Sequence, residues 1–213
     1  MKLNQNDHIL FIGDSVTDVD RNKMDSADLG QGYPLMIAKY LKDRYSDLNL
    51  TFHNRGIGGD KLKDLSARWE EDCLALKPTI ISILIGINDT WHNVGQKQFG
   101  NKDCLMQFEE QYRALLASLA PNSDCQIVLM EPFVLPSYPS DRETWRRDLD
   151  PRIQVVRKLA HEFQADLIPL DGILNAVGIK QGCTYLTGDD GVHPTPEGHA
   201  IIAKAWLKAV ENK

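Results

Sequence analysis

The sequence HILFIGDS at residues 8–15 joins an apolar run of strand length to a short polar turn. Residues 9–12 are all apolar and lack the polar alternation of a strand that has one face in water. An uninterrupted run of this kind is typical of a strand covered on both faces. The segment therefore predicts an inner strand of a parallel sheet, with Gly13, Asp14 and Ser15 leaving its carboxyl end.

Further segments repeat this apolar pattern along the chain. The strong ones are Thr79–Ile85, Gln126–Met130 and Asp166–Leu170, and a weaker one is Thr51–Asn54. Between them, apolar residues recur at the three- and four-residue steps of amphipathic helices: Leu62, Leu65, Trp69, Cys73 and Leu76; Leu105, Phe108, Tyr112, Leu115 and Leu119; Ile153, Val156, Ala160 and Phe163; Ile202, Trp206 and Val210. Alternating strands and helices predict an α/β fold with a doubly wound parallel sheet. No internal repeat or linker interrupts the pattern, so residues 1–213 are expected to form a single domain.

Length and charge exclude several classes of protein. The chain has 213 residues, with 24 Lys and Arg against 30 Asp and Glu, and a net charge of −6. No basic run is long enough to follow a nucleic acid backbone, and no apolar stretch approaches the roughly 18 residues of a membrane-spanning helix. The amino-terminal residues lack the apolar core of a secretory signal, and the four cysteines are widely separated. We therefore expect a cytoplasmic protein with reduced thiols, and neither a nucleic acid nor a membrane as partner.

Ligands bind at the carboxyl ends of the strands in open parallel sheets. The polar turns predicted at those ends are residues 13–18, 54–60, 86–89 and 190–194. Nucleotide binding is disfavoured, because the first turn contains neither G-x-G-x-x-G nor G-x-x-x-x-G-K-[ST]. Gly56 and Gly58 begin such a fingerprint, but Lys61 stands in the place of its third glycine.

Ser15 lies in the first of these turns and is a candidate nucleophile. A serine hydroxyl attacks only when an oriented base removes its proton. Asp190 and His193 are three residues apart in the last turn, so the carboxylate can fix one ring nitrogen while the other faces Ser15. A serine at this position is also a common helix N-cap. Together, however, the three residues predict a nucleophile, its base and the group that orients the base.

Acyl transfer also needs hydrogen-bond donors for the oxyanion that forms on the carbonyl. The backbone N–H of Ser15, the backbone N–H of Gly59 and the side-chain amide of Asn88 are the candidates. Each has an ordinary alternative, since Gly59 suits a helix-entry turn and Asn88 suits many turns. Their positions in successive turns at one edge of the sheet favour an oxyanion hole.

Four short blocks resemble the SGNH (GDSL-type) hydrolases in their order and spacing. They are G-D-S at residues 13–15, the glycine after the second strand, G-x-N-D at 86–89 and D-x-x-H-P at 190–194. The resemblance implies a flavodoxin-like three-layer α/β/α sandwich with a five-stranded parallel sheet. It also implies catalysis by Ser15, His193 and Asp190, an oxyanion hole from Ser15, Gly59 and Asn88, and no requirement for a cofactor or a metal.

Longer stretches are similar to the bacterial intracellular acetylxylan esterases within that superfamily. They are IGDSVTD at residues 12–18, NRGI at 54–57, RWEED at 68–72 and IGINDTW at 85–91. The similarity implies a serine esterase that deacetylates xylo-oligosaccharides or related sugars, and it implies a homo-oligomer. Two residues depart from the pattern: relatives commonly have Ser in place of Gly58 and a bulky aromatic in place of Asp189. The second departure affects the expected sugar contacts more than the chemistry.

Three more residues are candidate substrate contacts. Asp14 precedes the nucleophile, although it suits a helix cap better than a cation site. Arg55 suits either a substrate contact or a surface ion pair, and Trp91 suits either a pocket wall or the core. Two other groups are not expected to bind a ligand. Glu70–Asp72 are expected to form a solvated helix face, and His193 and His199 do not have the spacing of zinc ligands.

The segment Glu131–Asp150 is predicted to be irregular, because prolines at 132, 136 and 139 interrupt it. We expect a loop near the strand ends that helps to shape the pocket. It mixes apolar with charged side chains: Phe133, Leu135, Tyr138 and Trp145 with Asp141, Arg142, Glu143, Arg146, Arg147 and Asp148. This mixture favours a sugar ester over a long acyl chain. A thioesterase or lysophospholipase on the same triad, and a non-catalytic sugar- or acyl-binding module, remain as alternatives.

Overall fold

A computed structural model of the protein describes residues 1–120, 124–136 and 144–211, without the side chain of the last. Its strands are β1 (His8–Gly13), β2 (Thr51–Gly56), β3 (Ile80–Leu84), β4 (Gln126–Met130) and β5 (Asp166–Ile168). They pair in parallel in the order β2-β1-β3-β4-β5. This is the strand order of flavodoxin-like sheets, so the predicted five-stranded parallel sheet is confirmed.

Helices cover both faces of the sheet. They are α1 (Ser15–Asp18), α2 (Tyr33–Arg44), α3 (Leu62–Ala67), α4 (Trp69–Asp72), α5 (Ile87–Trp91), α6 (Lys102–Ala117), α7 (Arg146–Glu162), α8 (Leu170–Gln181), α9 (Thr184–Thr187) and α10 (Pro196–Glu211), with 3₁₀ turns at Ser46–Leu48 and Leu74–Leu76. One core lies between the sheet and α2, α8, α9 and α10, and the other between the sheet and α3, α4, α6 and α7. The predicted α/β/α sandwich is therefore confirmed. Within the described ranges, no helix is both long enough and apolar enough to cross a membrane.

The inner and edge strands differ in the way their sequences suggest. Every residue of β3, and every residue of β1 after His8, is buried. The edge strand β2 instead alternates buried with partly exposed residues, and this alternation explains its weaker apolar signal. At the other edge, β5 is shorter than predicted because Pro169 follows it and Leu170 already begins α8.

The helix expected over residues 62–76 is divided into α3, α4 and a 3₁₀ turn. The backbone leaves helical geometry at Arg68, where φ is −112° and ψ is 7°, and again at Cys73. The apolar residues of the series still face the core, so the spacing identified the correct buried face. The break occurs where the Arg68 guanidinium turns toward the carbonyl oxygens of Gly13 and Arg55, contacts that no spacing can reveal.

Helix α7 begins earlier than expected, so the prediction that residues 131–150 are irregular is wrong for its last part. Trp145 and Leu149 are buried in a small apolar cluster with Val134, and that contact holds the first turn. Pro151 lies inside the helix, where it removes a single N–H donor close to the amino-terminal end. Residues 137–143, which include much of the predicted charged mixture, lie outside the described residues.

The strand ends are level at the edge where the polar turns lie. Gly13 at the end of β1 pairs with Gly56 of β2 on one side and with Leu84 of β3 on the other. At Gly56, a Cβ atom would lie 2.3 Å from the backbone nitrogen of Asp18, so only glycine lets the two turns approach this closely. The turns after three neighbouring strands therefore meet at one place.

Candidate active site

Ser15 is the first residue of α1, the short helix that follows β1. The Asp14 side chain caps this helix by accepting a hydrogen bond of 3.0 Å from the Val16 N–H. The helix ends at Val19, a β-branched residue with a φ of 35°, in the left-handed region that such residues rarely adopt. The Ser15 Oγ lies 2.9 Å from Nε2 of His193, which is 178 residues further along the chain.

His193 lies in the turn that precedes α10 and is held by Asp190. Its Nδ1 is 2.5 Å from the Asp190 Oδ2, and the Asp190 Oδ1 accepts the backbone N–H groups of Val192 and His193 at 2.8 and 2.9 Å. When Nδ1 carries the proton and donates a hydrogen bond to the carboxylate, Nε2 can accept a hydrogen bond from the Ser15 hydroxyl. The predicted trio thus forms a continuous hydrogen-bonded chain.

The electrostatic environment favours proton acceptance by His193. Its hydrogen bond with Asp190 raises the pKa of the His193 ring against the opposing effect of partial burial. Burial acts to raise the pKa of Asp190, but the hydrogen bonds from the His193 ring and from two backbone N–H groups outweigh it, so the pKa of Asp190 lies below its ordinary value. Behind the nucleophile, burial raises the pKa of Asp14 to about 7. The pair therefore consists of an ionised carboxylate and a ring of increased basicity.

The three predicted oxyanion donors lie in turns that are tied to one another. Within the described part of the chain, neither the Ser15 N–H nor the Gly59 N–H donates a hydrogen bond, so both are available. The Asn88 Nδ2 donates one hydrogen to the Asp60 carbonyl at 3.1 Å and keeps a second for a ligand. Gly59 has a φ of 85°, so glycine is needed there for its backbone conformation rather than for space.

A cavity of about 320 Å³ opens beside Ser15. Its lining consists of Ser15, Asp18, Val19, Asp20, Gly58, His193, Pro194 and His199. Gly59 and Asn88 are not part of this lining. His199 is 3% exposed, and its burial lowers the pKa to about 4, so the ring is neutral at physiological pH. No metal-ligand group of three His, Cys, Asp or Glu side chains occurs in the described ranges.

Two polar residues, Asn54 and Asp18, position these turns, and the role of Asn54 was not predicted from the sequence. The buried Asn54 donates to the carbonyls of Thr17 and Leu29 at 2.7 and 2.8 Å, and its Oδ1 accepts the Gly56 N–H at 2.8 Å. Asp18 accepts the Gly58 N–H at 3.0 Å, so it ties its own turn to the turn after β2. An asparagine inside a predicted strand was the available signal for Asn54, because a buried amide needs several partners.

The three candidate substrate contacts occupy different environments. Asp14 is 1% exposed, so its side chain supports the Ser15 turn and does not reach a substrate. The Trp91 ring lies 5.8 Å from the His193 ring and 5.3 Å from that of Trp145, so Trp91 both packs inside and borders the site. Arg55 is in an ion pair, with its Nε 3.5 Å from the Asp72 Oδ1.

That ion pair corrects one expectation. Glu70–Asp72 were predicted to form a solvated helix face, but Asp72 also accepts a hydrogen bond of 2.8 Å from the Arg68 guanidinium. Its side chain is 21% exposed. Asp72 therefore belongs to a cluster of charges behind the active-site turns.

Comparisons with known proteins identify the family of this chain. Residues 11–201 match the model of the GDSL-like lipase/acylhydrolase family. An acetylxylan esterase from Geobacillus stearothermophilus is 33% identical over 215 residues, covering 99% of this chain and 96% of the relative.

Solved structures agree. A protein from Parabacteroides merdae assigned as a GDSL-like lipase superposes with a TM-score of 0.90 at 35% identity, covering 100% of this chain and 99% of that one. A catalytic mutant of the Geobacillus acetylxylan esterase superposes with a TM-score of 0.87 at 32% identity, covering 99% and 97%. Sequence, fold and the arrangement at the strand ends thus lead to one conclusion: the chain belongs to the GDSL-like lipase/acylhydrolase family of SGNH hydrolases and is a carboxylic ester hydrolase.

Proposed function

We propose that the protein is a serine esterase that removes short acyl groups, above all acetyl, from carbohydrate esters through an acyl-enzyme on Ser15. The observation that carries the proposal is the hydrogen-bonded chain from Ser15 through His193 to Asp190. A serine, a base and an orienting carboxylate in this arrangement generate an activated nucleophile.

Acylation begins when the Ser15 Oγ attacks the ester carbonyl carbon and its proton passes to Nε2 of His193. The Asp190 carboxylate keeps the Nδ1 proton and stabilises the imidazolium that forms. The carbonyl oxygen becomes an oxyanion, which accepts hydrogen bonds from the Ser15 N–H, the Gly59 N–H and the Asn88 amide. When the carbonyl re-forms, the alkoxide departs with the proton from Nε2, and the acyl group remains on Ser15.

Deacylation repeats these steps with water in place of serine. His193 takes a proton from the water as its oxygen attacks the acyl carbonyl, and the same donors hold the second oxyanion. The Ser15 oxygen then departs with that proton, which releases the carboxylic acid and restores the free enzyme. Residues of this chain supply every group in the cycle.

The cavity supports a small polar substrate. It has a volume of about 320 Å³, and its lining includes Asp18 and Asp20 together with the rings of His193 and His199. Lys23 neutralises part of this charge, with its Nζ 3.2 Å from Asp18 Oδ2. Acidic side chains repel the phosphates of coenzyme A thioesters and of lysophospholipids, whereas they accept hydrogen bonds from sugar hydroxyls. The Geobacillus relative is an acetylxylan esterase, and acetylated xylo-oligosaccharides are accordingly the substrates we propose.

Three further assignments belong to the proposal. We place the enzyme in the cytoplasm, where imported sugar esters would reach it, because all four cysteines are free thiols. We also propose that residues 1–213 act as one domain, and that copies of the chain associate as a homo-oligomer. Trp91, beside the His193 ring, is proposed as a wall for the bound sugar.

An acyl-length series tests the function directly. Hydrolysis would be measured for activated esters of two to sixteen carbons, for an acetylated xylo-oligosaccharide and for an acyl thioester, with the Ser15→Ala variant as the blank. We expect a steep preference for acetyl and turnover of the sugar ester. A maximum at long chains, or a preference for the thioester, would overturn the proposal.

A further inference from the structure

Arg68 begins the RWEED stretch, and the reaction described above does not use it. Its guanidinium makes four hydrogen bonds to four separate groups, and its side chain is only 14% exposed. The acceptors are the Gly13 carbonyl at 3.1 Å, the Arg55 carbonyl at 2.8 Å, the Asp60 carboxylate at 2.8 Å and the Asp72 carboxylate at 2.8 Å. A residue with this many buried contacts is positioned with little freedom to move.

Two of the acceptors fix the ends of neighbouring strands. Gly13 is the last residue of β1, and its carbonyl precedes the Asp14–Ser15 turn directly. Arg55 is the last residue but one of β2, and the turn that contains Gly59 follows. A single guanidinium that binds both carbonyls therefore adds a side-chain link to the strand pairing between the two turns that carry the backbone oxyanion donors.

The third acceptor links Arg68 to the remaining donor. Asp60 follows Gly59 directly, and its carboxylate binds the Arg68 Nε at 2.8 Å. The carbonyl of the same residue accepts the Asn88 Nδ2 at 3.1 Å. Arg68 thus reaches the Ser15 turn through Gly13, and it reaches both Gly59 and Asn88 through Asp60.

The chemistry of these contacts requires arginine in particular. A guanidinium holds its N–H donors in one rigid plane, whereas a lysine ammonium is a single point that cannot bind acceptors in several directions. The positive charge is balanced by Asp60 and Asp72, and Asp72 also pairs with Arg55. The cluster is therefore both satisfied and rigid.

We propose that Arg68 is a positioning residue for the oxyanion hole: it holds the turns after β1 and β2 at the separation at which the Ser15, Gly59 and Asn88 donors converge on the tetrahedral intermediate. This inference rests on the proposed acyl transfer at Ser15. Arg68 touches no reacting atom, and it acts only through the turns that it binds.

Steady-state kinetics of Arg68→Lys and Arg68→Met on an activated acetate ester test the role. Since displacement of a catalytic group by about 1 Å costs on the order of 100-fold, we expect kcat to fall about 10- to 100-fold with KM changed less than about twofold. The matched control is Arg113→Met, which removes an arginine that binds Glu109 and Glu162 on the surface. Its kcat should equal that of the wild type.

Two readouts separate positioning from a purely structural role. The inhibition constant of a trifluoromethyl ketone, which forms a tetrahedral oxyanion on serine, should rise in proportion to KM/kcat across the variants. In addition, the fold-reduction in kcat caused by Arg68→Lys should be at least about threefold smaller in an Asn88→Ala background, because both residues act on the same oxyanion hole. Unchanged ketone affinity together with additive losses would overturn the proposal.

Asp60→Asn covers the case in which the Arg68 variants do not fold. It keeps the backbone carbonyl that binds Asn88 and removes only the charge that orients Arg68, so we expect a drop of about tenfold in kcat. Wild-type kcat in Asp60→Asn, or in a folded Arg68→Lys variant, would overturn the inference about Arg68 and leave the proposed function untouched. Full activity of Ser15→Ala would instead overturn the proposed function on which it rests.

Discussion

The two sides of the site are built in opposite ways. The donor side, meaning Ser15, Gly59 and Asn88, is assembled from three turns that residues distant in sequence connect. The base turn, residues 188–194, is held largely from within, because the Asp190 carboxylate accepts the N–H groups of two of its neighbours. Exposure differs too: Asn88 is 4% exposed, whereas the His193 side chain is 48% exposed.

The contrast shows where precision comes from in each case. A histidine three residues after its aspartate is oriented by the shape of a single turn, so few other residues affect it. An oxyanion hole made from three turns depends on every bond that ties those turns together. We therefore expect changes in the base turn to affect the chemistry alone, and changes on the donor side to spread through their supports.

The largest effect is expected where the two sides meet. Ser15→Ala removes the proposed nucleophile, and losses for such residues are on the order of 10⁶-fold. Hydrolysis of an activated acetate ester should be abolished, while the melting temperature should stay at that of the wild type because Ala fits the same helical position. Retained turnover would show that another residue carries the acyl group.

The base turn is tested by Asp190→Asn. Asn replaces the charged acceptor with an amide that can also donate, so His193 loses the ring tautomer that proton transfer needs, and kcat should fall on the order of 10⁴-fold. The neighbouring exposed Asp189→Asn provides the matched control and should keep wild-type kcat. If both variants behaved alike, local charge rather than orientation of the ring would be the important factor.

The donor side is tested by Asn88→Ala. One donor is lost, so kcat should fall about 10²- to 10³-fold with KM nearly unchanged. Asn93→Ala is the control, because the side-chain amide of Asn93 donates a comparable hydrogen bond of 2.7 Å to the nearby Asp89 carbonyl. An equal loss in the two variants would mean that Asn88 matters for structure and not for the oxyanion.

The pH dependence tests the base turn with no substitution. His193 must be neutral to accept a proton, and Asp190 foremost, with Asp14 also contributing, raises its pKa. In the wild type, kcat/KM should therefore fall about tenfold per pH unit below a midpoint that lies above the ordinary value of roughly 6.5. A midpoint below that value would show that the effect of burial dominates.

The smallest effect is expected at Gly58. A Cβ there would lie 3.8 Å from the Ser15 Cβ and the Asp18 Oδ2, which is ordinary contact, so Gly58→Ser should leave kcat within about twofold. At Gly59, the φ of 85° makes the same replacement strained, and Gly59→Ser should lower kcat clearly. Equal kinetics for the pair would contradict the view that conformation governs the donor side.

The same contrast explains what could be predicted from the sequence. Apolar runs located the strands and local spacing paired Asp190 with His193, because both signals lie within a few residues. The break at Arg68 and the contacts of Asn54 were not predictable, since they involve Gly13 and Thr17, which lie 55 and 37 residues away and leave no period in the sequence. The first turn of α7 was missed because the prolines at 132, 136 and 139 suggested a loop up to residue 150, while burial of Trp145 and Leu149 stabilised a helix.

The hydrogen bond between Ser15 and His193 joins positions 178 residues apart, with consequences during synthesis. A growing chain exposes Ser15, the proposed nucleophile, early but lacks the proposed base until residue 193 leaves the ribosome. In the folded chain α10 covers the sheet, where Trp206 packs against Phe11 and donates to Ser82. The amount of product released in a single acylation would therefore measure the number of folded molecules that include residue 193, and shorter translation products would release none.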